Sequence, residues 1–317
     1  MSVGEQVKGN VNDRAKGLKP LKHVVLILLT TLIMGTSFPV GKIGMAYAPP
    51  FLLMGLRYVL AGALLAWIVR KRPLPKGWKQ WMQTAIIGLF QSAGVMGCAY
   101  YSMNWLTSGE SAIITFTSPL LFILFSTLLD GVSYRLSQWS GVLLGIAGVA
   151  VGFGFQLSFS PGTLIGLAGA VFFAISTILV KRWGSEQNTY VLTSYQMLAG
   201  GIVLLMLSAF TEQPAFALNA TSFIVLIWLV LACSMVQFSL WFYLLHNSDP
   251  ARTSSFLFLA PLFGVACSWV LLGERVQWVM GVGAACVCIG IYLVNRKGSA
   301  SDKKIPSKFI SPRPSKG

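Results

Sequence analysis

The sequence predicts an all-α integral membrane protein with ten transmembrane helices, arranged as two inverted five-helix repeats with both termini in the cytoplasm. Three observations predict this architecture: the composition, the spacing of apolar runs and an internal repeat. Of the 317 residues, 55% are hydrophobic and 10% are charged, and the mean hydropathy is +0.70. An ordinary soluble protein has roughly 25% charged residues, so this composition excludes a water-soluble surface.

The apolar runs have the length of transmembrane helices. A helix that crosses a hydrocarbon core of about 30 Å needs about 20 mostly apolar residues, and charges, prolines and glycine clusters mark where such runs end. The first run follows basic residues, as the apolar part of a signal peptide does. Because it is longer than that apolar part usually is, we predict a transmembrane span rather than a cleaved signal peptide. The predicted spans lie near residues 24–42, 51–69, 82–104, 111–129, 137–155, 162–180, 190–210, 222–245, 253–272 and 276–294.

The distribution of lysine and arginine predicts the orientation. With the N-terminus in the cytoplasm, 21 of the 24 basic residues fall on the cytoplasmic side, Lys42 and Arg275 fall on the other side, and Arg57 lies within a span. Cytoplasmic loops carry excess positive charge, so both termini are expected inside. The net charge of +15 follows from this topology, and no nucleic-acid partner is expected.

Neither the two tails nor the cysteines are predicted to form a metal or redox site. Residues 1–23 are expected to form a cytoplasmic tail, and the basic residues 295–317, rich in Lys, Ser and Pro, are expected to be disordered. The five cysteines fall inside apolar spans without a C-x-x-C spacing, which favours packing residues over metal or redox ligands. We expect no metal and no cofactor.

An internal repeat divides the chain into halves, predicted at residues 24–155 and 161–294. Each half holds five spans, and because five is odd the second copy is inverted in the membrane. Inverted repeats are typical of secondary transporters, which expose a midplane site to each side in turn. At an offset of 139 residues Ser37 pairs with Ser176 and Arg57 with Gln196; at 142 the pairs are Tyr101 and Tyr243, Pro119 and Pro261, Leu120 and Leu262, Gly131 and Gly273, Gly141 and Gly283, and Gly148 and Gly290.

Several of these residues resemble one transporter family. The resemblance rests on Pro261, the run 271–275 and the glycine-rich last span, and in the first half on Pro119, the Gly131 to Gly148 spacing, and the run 35–39 with Arg57. The sequence resembles two tandem EamA domains of the drug/metabolite transporter superfamily over residues 24–294. It departs at Val132-Ser133, where the second copy has Glu274-Arg275. The resemblance implies an inverted-repeat exporter or exchanger of small metabolites, often amino acids.

Arg57 is the most unusual residue of the predicted spans. A charged side chain at the bilayer centre costs about 2.5 to 3.5 kcal/mol on insertion scales, so Arg57 is expected to face protein or a watery cavity. It either hydrogen-bonds backbone carbonyls as a structural clamp or meets the anionic group of a substrate, and we favour the clamp. Gln196 is its uncharged counterpart in the second half.

Glycines and prolines predict breaks and close contacts. The run from Gly35 to Pro39 is expected to interrupt the first helix at a cavity, although a proline kink that serves packing explains the same residues. Pro119 and Pro261 each remove a helix hydrogen bond, which suits a hinge or a static kink. Glycines four residues apart, such as Gly141 and Gly145, are expected to let helices pack closely.

The third and eighth spans are the most polar and aromatic, and we predict that they line a small-molecule site. The predicted substrate-binding residues are Ser37, Phe38, Gln91, Tyr100, Tyr101, Asn104, Ser176, Gln237, Trp241 and Tyr243; the predicted structural or gating residues are Gly35, Pro39, Arg57, Gln196, Pro119 and Pro261. No catalytic residue is predicted, because the sequence shows no nucleophile with its base and no metalloprotease or Walker-type motif.

Together these features favour a secondary transporter of small metabolites, chiefly amino acids or related neutral or zwitterionic compounds. It is expected in the plasma (inner) membrane, as a monomer or weak homodimer whose partners are its substrate and the lipid bilayer. The alternatives are a channel-like facilitator or a drug-efflux carrier, and less favourably a membrane-embedded enzyme. The spans contain no Asp, Glu or His away from their ends, so transport is expected to be facilitated diffusion or exchange, or to be proton-coupled through Glu110 or Glu274.

Overall fold

The computed structural model describes residues 20–130, 136–152, 160–184, 187–247, 259–274 and 278–295, and within these ranges the chain is helical without strands. The C-terminal tail, Arg275 and the Val132-Ser133 departure lie outside them. The helices are α1 Pro20–Gly44, α2 Pro50–Ile68, α3 Gly77–Ser102, α4 Ser108–Thr115, α5 Ser118–Asp130, α6 Leu136–Gly152, α7 Pro161–Trp183, α8 Thr189–Thr211, α9 Ala220–Ile227 continued by Trp228–Val236 and Gln237–Asn247, α10 Leu259–Leu272, and α11 Trp278–Asn295.

Six of the described helices are long and apolar enough to cross a membrane. They are Val24–Gly44, Pro50–Ile68, Gly77–Ser102, Pro161–Val180, Thr189–Thr211 and Ala220–Trp241. Large apolar side chains, including Leu64, Trp67, Phe210 and Ile224, are exposed on these helices, as lipid contact requires. The chain is therefore a multi-pass membrane protein. The count of ten spans and the cytoplasmic termini stay predictions.

The interruption predicted at residues 35–39 of the first helix is absent from the structure. Helix α1 runs without a break from Pro20 to Gly44, with Pro39 inside it. A proline removes one backbone donor, and here the surrounding helix continues across that loss. Gly35 instead allows a close helix contact, because a Cβ there would lie 2.7 Å from the backbone nitrogen of Gly264 in α10.

The fourth predicted span, near residues 111–129, is divided in the structure. Helix α4 ends at Thr115, Phe116 and Thr117 form a turn, and α5 begins at Ser118. The Thr117 hydroxyl donates to the carbonyl of Ile114 at 2.6 Å, which closes the turn. Pro119 thus lies in the first turn of α5, where its missing amide leaves no helix hydrogen bond unmade.

Glycines bring two pairs of helices into backbone contact. Helix α2 packs on α8, and α6 packs on α11. A Cβ on Gly290 of α11 would lie 2.5 Å from the carbonyl oxygen of Gly141 and 2.9 Å from the nitrogen of Gly145 in α6. The close helix packing predicted at Gly141 and Gly145 is confirmed, because the backbone of Gly290 approaches both, and only a residue without a side chain at position 290 permits this approach.

Candidate functional site

Arg57 of α2 lies in the interior of the bundle and is only 1% exposed. It is among the largest side chains that the protein buries completely, together with Tyr100 and Phe38. A buried guanidinium is tolerated only when its donors are hydrogen-bonded. The partners of Arg57 therefore decide what it can do.

All three nitrogens of the Arg57 guanidinium donate hydrogen bonds to protein groups. Nε donates to the hydroxyl of Ser234 at 2.9 Å, and Nη2 donates to the backbone carbonyl of Cys233 at 2.8 Å. Nη1 donates to the hydroxyl of Ser37 at 2.9 Å and to that of Tyr100 at 3.4 Å. These contacts join α2 to α1, α3 and α9. The arrangement is that of a structural clamp, in which neutral groups of three neighbouring helices hold the guanidinium.

Tyr100 fixes the position of Ser37 in this cluster. Its hydroxyl donates to the backbone carbonyl of Ser37 at 2.5 Å and also lies 3.2 Å from the Ser37 hydroxyl. Gly41 makes room for the tyrosine, because a Cβ at residue 41 would overlap the Tyr100 ring. Phe38 packs beside the same ring, with centroids 6.4 Å apart. We call Arg57, Ser37, Tyr100, Ser234 and the Cys233 carbonyl the arginine cluster.

A π-helical segment of α9 supplies two of the acceptors in the arginine cluster. This segment, Trp228–Val236, contains both Cys233 and Ser234. The Ser234 hydroxyl donates to the carbonyl of Leu229, five residues earlier, at 2.9 Å, which follows the five-residue spacing of a π-helix. Such segments are rare and often occur at functional sites.

A second, uncharged cluster lies where α3 meets α7 and α8. The Ser92 hydroxyl donates to the side-chain oxygen of Gln196 at 2.8 Å, and the Ser176 hydroxyl donates to that of Gln91 at 2.6 Å. Gln91 and Ser92 lie in the π-helical segment Leu89–Gly94 of α3. We call these four residues the amide cluster.

The two clusters correspond to one another along the sequence. Ser234 follows Ser92 by 142 residues, and Gln196 follows Arg57 by 139. Arg57 of α2 contacts the π-helical segment of α9, and Gln196 of α8 contacts that of α3. An equivalent contact is thus made twice, once by Arg57 as a charged donor to Ser234 and once by the Gln196 amide oxygen as an acceptor from Ser92.

The structure brings some of the predicted site residues together and separates others. Ser37, Phe38, Arg57 and Tyr100 share the arginine cluster, while Gln91, Ser176 and Gln196 share the amide cluster. Gln237 is buried and Trp241 is half-buried in α9, beyond its π-helical segment. The backbones of Pro119 and Pro261 lie in α5 and α10.

The remaining aromatic and amide residues have contacts or exposure outside the two clusters. Tyr101 stacks on Phe51 with ring centroids 4.9 Å apart, and Asn104 is exposed. Tyr243 accepts a hydrogen bond from Lys22 near the start of α1 at 3.3 Å. Tyr101 and Tyr243 thus lie near the ends of α3 and α9, and Asn104 lies just beyond the end of α3.

Sequence reasoning missed Ser92, Ser234 and Gly41. The first two are identical residues at the 142-residue offset, so the repeat itself carried a signal that pointed to them. Gly41 had no such signal, since its role depends on a tyrosine that lies 59 positions away in the sequence.

Two glutamates hold the start of α4. Glu274 accepts from the amide and hydroxyl of Ser108, at 2.9 Å and 3.0 Å. Glu110 forms a capping box with Thr107. Lys42, at the end of α1, donates to the carbonyls of Met103 and Leu106 nearby. Both carboxylates thus satisfy helix amides that would otherwise lack partners.

We expect Glu274→Ala to lower the free energy of unfolding by about 1 to 2 kcal/mol, because it removes an acidic cap from α4. Glu274→Gln keeps an acceptor oxygen and should lose less. Thermal unfolding of the purified protein in detergent measures both. Equal stability of Glu274→Ala and the parent would contradict the capping role.

Among the described residues, no group of three or more His, Cys, Asp or Glu is placed to hold a metal ion. The chemistry of both clusters is hydrogen bonding by hydroxyl, amide, carbonyl and guanidinium groups. Such groups can bind and orient a small polar molecule, and they can join helices that move relative to one another.

Comparison with known proteins agrees with this architecture. The EamA-like transporter family matches the chain twice, at residues 21–153 and 160–296. The uncharacterized transporter YvbV of Bacillus subtilis is 28% identical, over 90% of this chain and 95% of its own length. The uncharacterized inner membrane transporter YedA of Escherichia coli K12 is 29% identical, also over 90% of this chain and 95% of its own.

A solved crystal structure has a similar fold. It superposes with a TM-score of 0.64 at 20% sequence identity, covering 86% of this chain and 97% of the other. The two tandem family matches cover most of the chain, and the predicted resemblance is confirmed. The chain therefore belongs to the EamA-like transporter family.

Proposed function

We propose that this family member is a secondary transporter of small neutral or zwitterionic metabolites, chiefly amino acids, in the inner membrane. It works by alternating access around a cavity between two inverted repeats, with both termini in the cytoplasm. The observation that carries the proposal is the doubled contact: Arg57 with the π-helical segment of α9, and Gln196 with that of α3.

The doubled contact suits a pair of hinges. In each half, the second helix of the repeat reaches across to the π-helical segment of the other half. Inverted repeats have two equivalent ways of packing, and a matched contact can persist in both while the helices around it rock. A π-helical segment can also change its hydrogen-bond register at low cost, because its geometry is already irregular.

The polarity of the interior favours an uncharged or zwitterionic substrate. The guanidinium of Arg57 is hydrogen-bonded to neutral protein groups on all three nitrogens, so its single charge is held within the clamp, and a substrate with several negative charges would find no matching set of cations here. The Ser176 and Gln91 side chains can exchange their mutual hydrogen bond for bonds to an amino or carboxyl group. A sugar phosphate would need more positive charge than these groups supply.

We propose exchange or facilitated diffusion rather than proton coupling. Glu110 and Glu274, the two candidate proton acceptors, both accept hydrogen bonds from the start of α4. Each carboxylate is thus engaged in holding the fold. If Glu110→Gln and Glu274→Gln together removed transport driven by a pH gradient while exchange persisted, proton coupling would replace this proposal.

Ligand-induced stabilisation tests the substrate class. Anything that binds the folded protein raises its midpoint of unfolding, so we would heat the purified protein with neutral amino acids, sugar phosphates and lipophilic cations. A neutral amino acid at saturating concentration should raise the midpoint by roughly 2 to 5 °C. Stabilisation by sugar phosphates or by lipophilic cations alone would contradict the proposed class, and the cations would indicate drug efflux.

Ser176→Ala should weaken substrate binding about fivefold to tenfold, because a neutral hydrogen bond contributes roughly 1 kcal/mol. Thr177→Ala is the matched control. Thr177 is exposed and donates to the Phe173 carbonyl at 2.9 Å, and the Ser176 hydroxyl oxygen lies 2.8 Å from the same carbonyl, but of the two only Ser176 donates to Gln91. Equal substrate affinity in the two variants, measured by titrating the stabilising ligand, would remove Ser176 from the site.

A further inference from the structure

A groove of about 420 Å³ lies between α2, α8 and α9. Its walls are mainly apolar, and Ile68 at one side is 59% exposed, so the groove opens towards the surroundings of the bundle. The groove has the volume of a small-molecule pocket. It is lined by Leu65, Ile68, Val69, Arg72, Tyr190, Met235, Val236, Ser239 and Leu240.

The groove has a positively charged residue in its lining, Arg72. Arg72 follows the end of α2, and its guanidinium lies over the Tyr190 ring, 5.2 Å from the centroid. This cation–π contact holds the side chain beside the groove. No carboxylate forms an ion pair with Arg72 within the part of the chain that the structure describes. The groove therefore combines apolar walls with a positive charge at a helix end.

Apolar walls beside a positive charge are complementary to an anionic phospholipid, which has acyl chains and a negatively charged headgroup. Arg70 and Lys71 precede Arg72 and are exposed, which places a basic segment just beyond a membrane-spanning helix. Anionic headgroups are attracted to such segments, and the exposed Ile68 gives an acyl chain a lateral entry. A water-soluble metabolite would gain little from these apolar walls.

We propose that the groove binds one anionic phospholipid, with its phosphate at Arg72 and part of an acyl chain between α2 and α9. This site is separate from both polar clusters and does not depend on the proposed substrate. Its occupant lies between α2 and α9, which belong to different halves, so it stabilises their packing.

The test is native mass spectrometry of the purified protein with added phosphatidylglycerol or phosphatidylcholine. The parent should retain one phosphatidylglycerol more tightly than phosphatidylcholine, and Arg72→Gln should weaken that binding about fivefold. Arg70→Gln is the control, since Arg70 also lies over an aromatic ring, that of Trp67, at 5.1 Å, but does not line the groove. Ser239→Phe, which fills the groove, should weaken binding without removing charge.

Equal losses in Arg72→Gln and Arg70→Gln would overturn the proposal, because they would indicate general attraction to the basic segment. Equal retention of the two lipids by the parent would overturn it too. So would displacement of the bound lipid by a neutral amino acid, which would assign the groove to the transport path. Lipid retention is measured without transport, so failure here leaves the proposed function untouched.

Discussion

Arg57→Gln should reduce transport at least tenfold for every substrate while the protein still folds. The substitution removes the charged donor that joins Ser37 of α1 to Ser234 and the Cys233 carbonyl of α9. Hydrogen bonds from a charged group contribute about 1.5 to 3 kcal/mol each, although contacts within membranes average less. The initial rate of labelled-substrate uptake into proteoliposomes measures the loss.

Arg57→Lys separates the clamp from a substrate counter-ion. A lysine keeps the charge but lacks the planar fork that reaches four partners at once. If Arg57 is a clamp, Arg57→Lys should be nearly as impaired as Arg57→Gln. Substantial rescue by lysine, with a raised KM limited to substrates that carry a carboxylate, would show instead that Arg57 binds the substrate.

The second large effect is expected at Gly200 of α8. A Cβ there would lie 2.5 Å from the carbonyl oxygen of Gly88 and 2.5 Å from the Cβ of Ser92 in α3. Gly200→Ala should therefore force α8 away from α3 and break the hydrogen bond between Ser92 and Gln196. Overpacking of this kind costs about 1 to 3 kcal/mol, or a fall of roughly 5 °C in the midpoint of unfolding.

Gly281→Ala is the matched control for Gly200→Ala. Gly281 is also a helical glycine, in α11, but a Cβ there would meet no other atom within 4 Å. Its unfolding midpoint should equal or slightly exceed that of the parent, because alanine is the better helix former. If both glycine variants unfolded at the same temperature, close packing of α8 on α3 would not contribute to stability.

Composition and periodicity were sufficient to predict the helical membrane fold, since the bilayer permits few structures other than helices. They could not locate the break at Phe116 and Thr117, because residues 111–129 have the composition of one continuous apolar span. They also predicted a break at Pro39 that α1 does not have. A proline in the sequence shows only that one backbone amide donor is missing. Whether the helix bends there depends on its packing against neighbouring helices.

The candidate site was predictable where the repeat carried information. Arg57, Gln196 and Ser176 were found because a charge in a span is costly or because the two halves align. Asn104 was predicted from polarity alone, and Tyr101 and Tyr243 from polarity together with their pairing at the 142-residue offset. The structure places Tyr101 and Tyr243 near the ends of α3 and α9, and Asn104 just beyond the end of α3. Polarity does not tell how deep a residue lies, and aromatic residues are also enriched where helices leave the membrane.

Counterflow tests the central claim most directly. Proteoliposomes containing only this protein would be loaded with an unlabelled neutral amino acid and diluted into a trace of the labelled one. An alternating-access carrier predicts a transient accumulation of label above equilibrium that saturates with substrate, and that Arg57→Gln abolishes. Label that only equilibrates, without saturation and together with single-channel currents, would contradict the carrier and establish a channel.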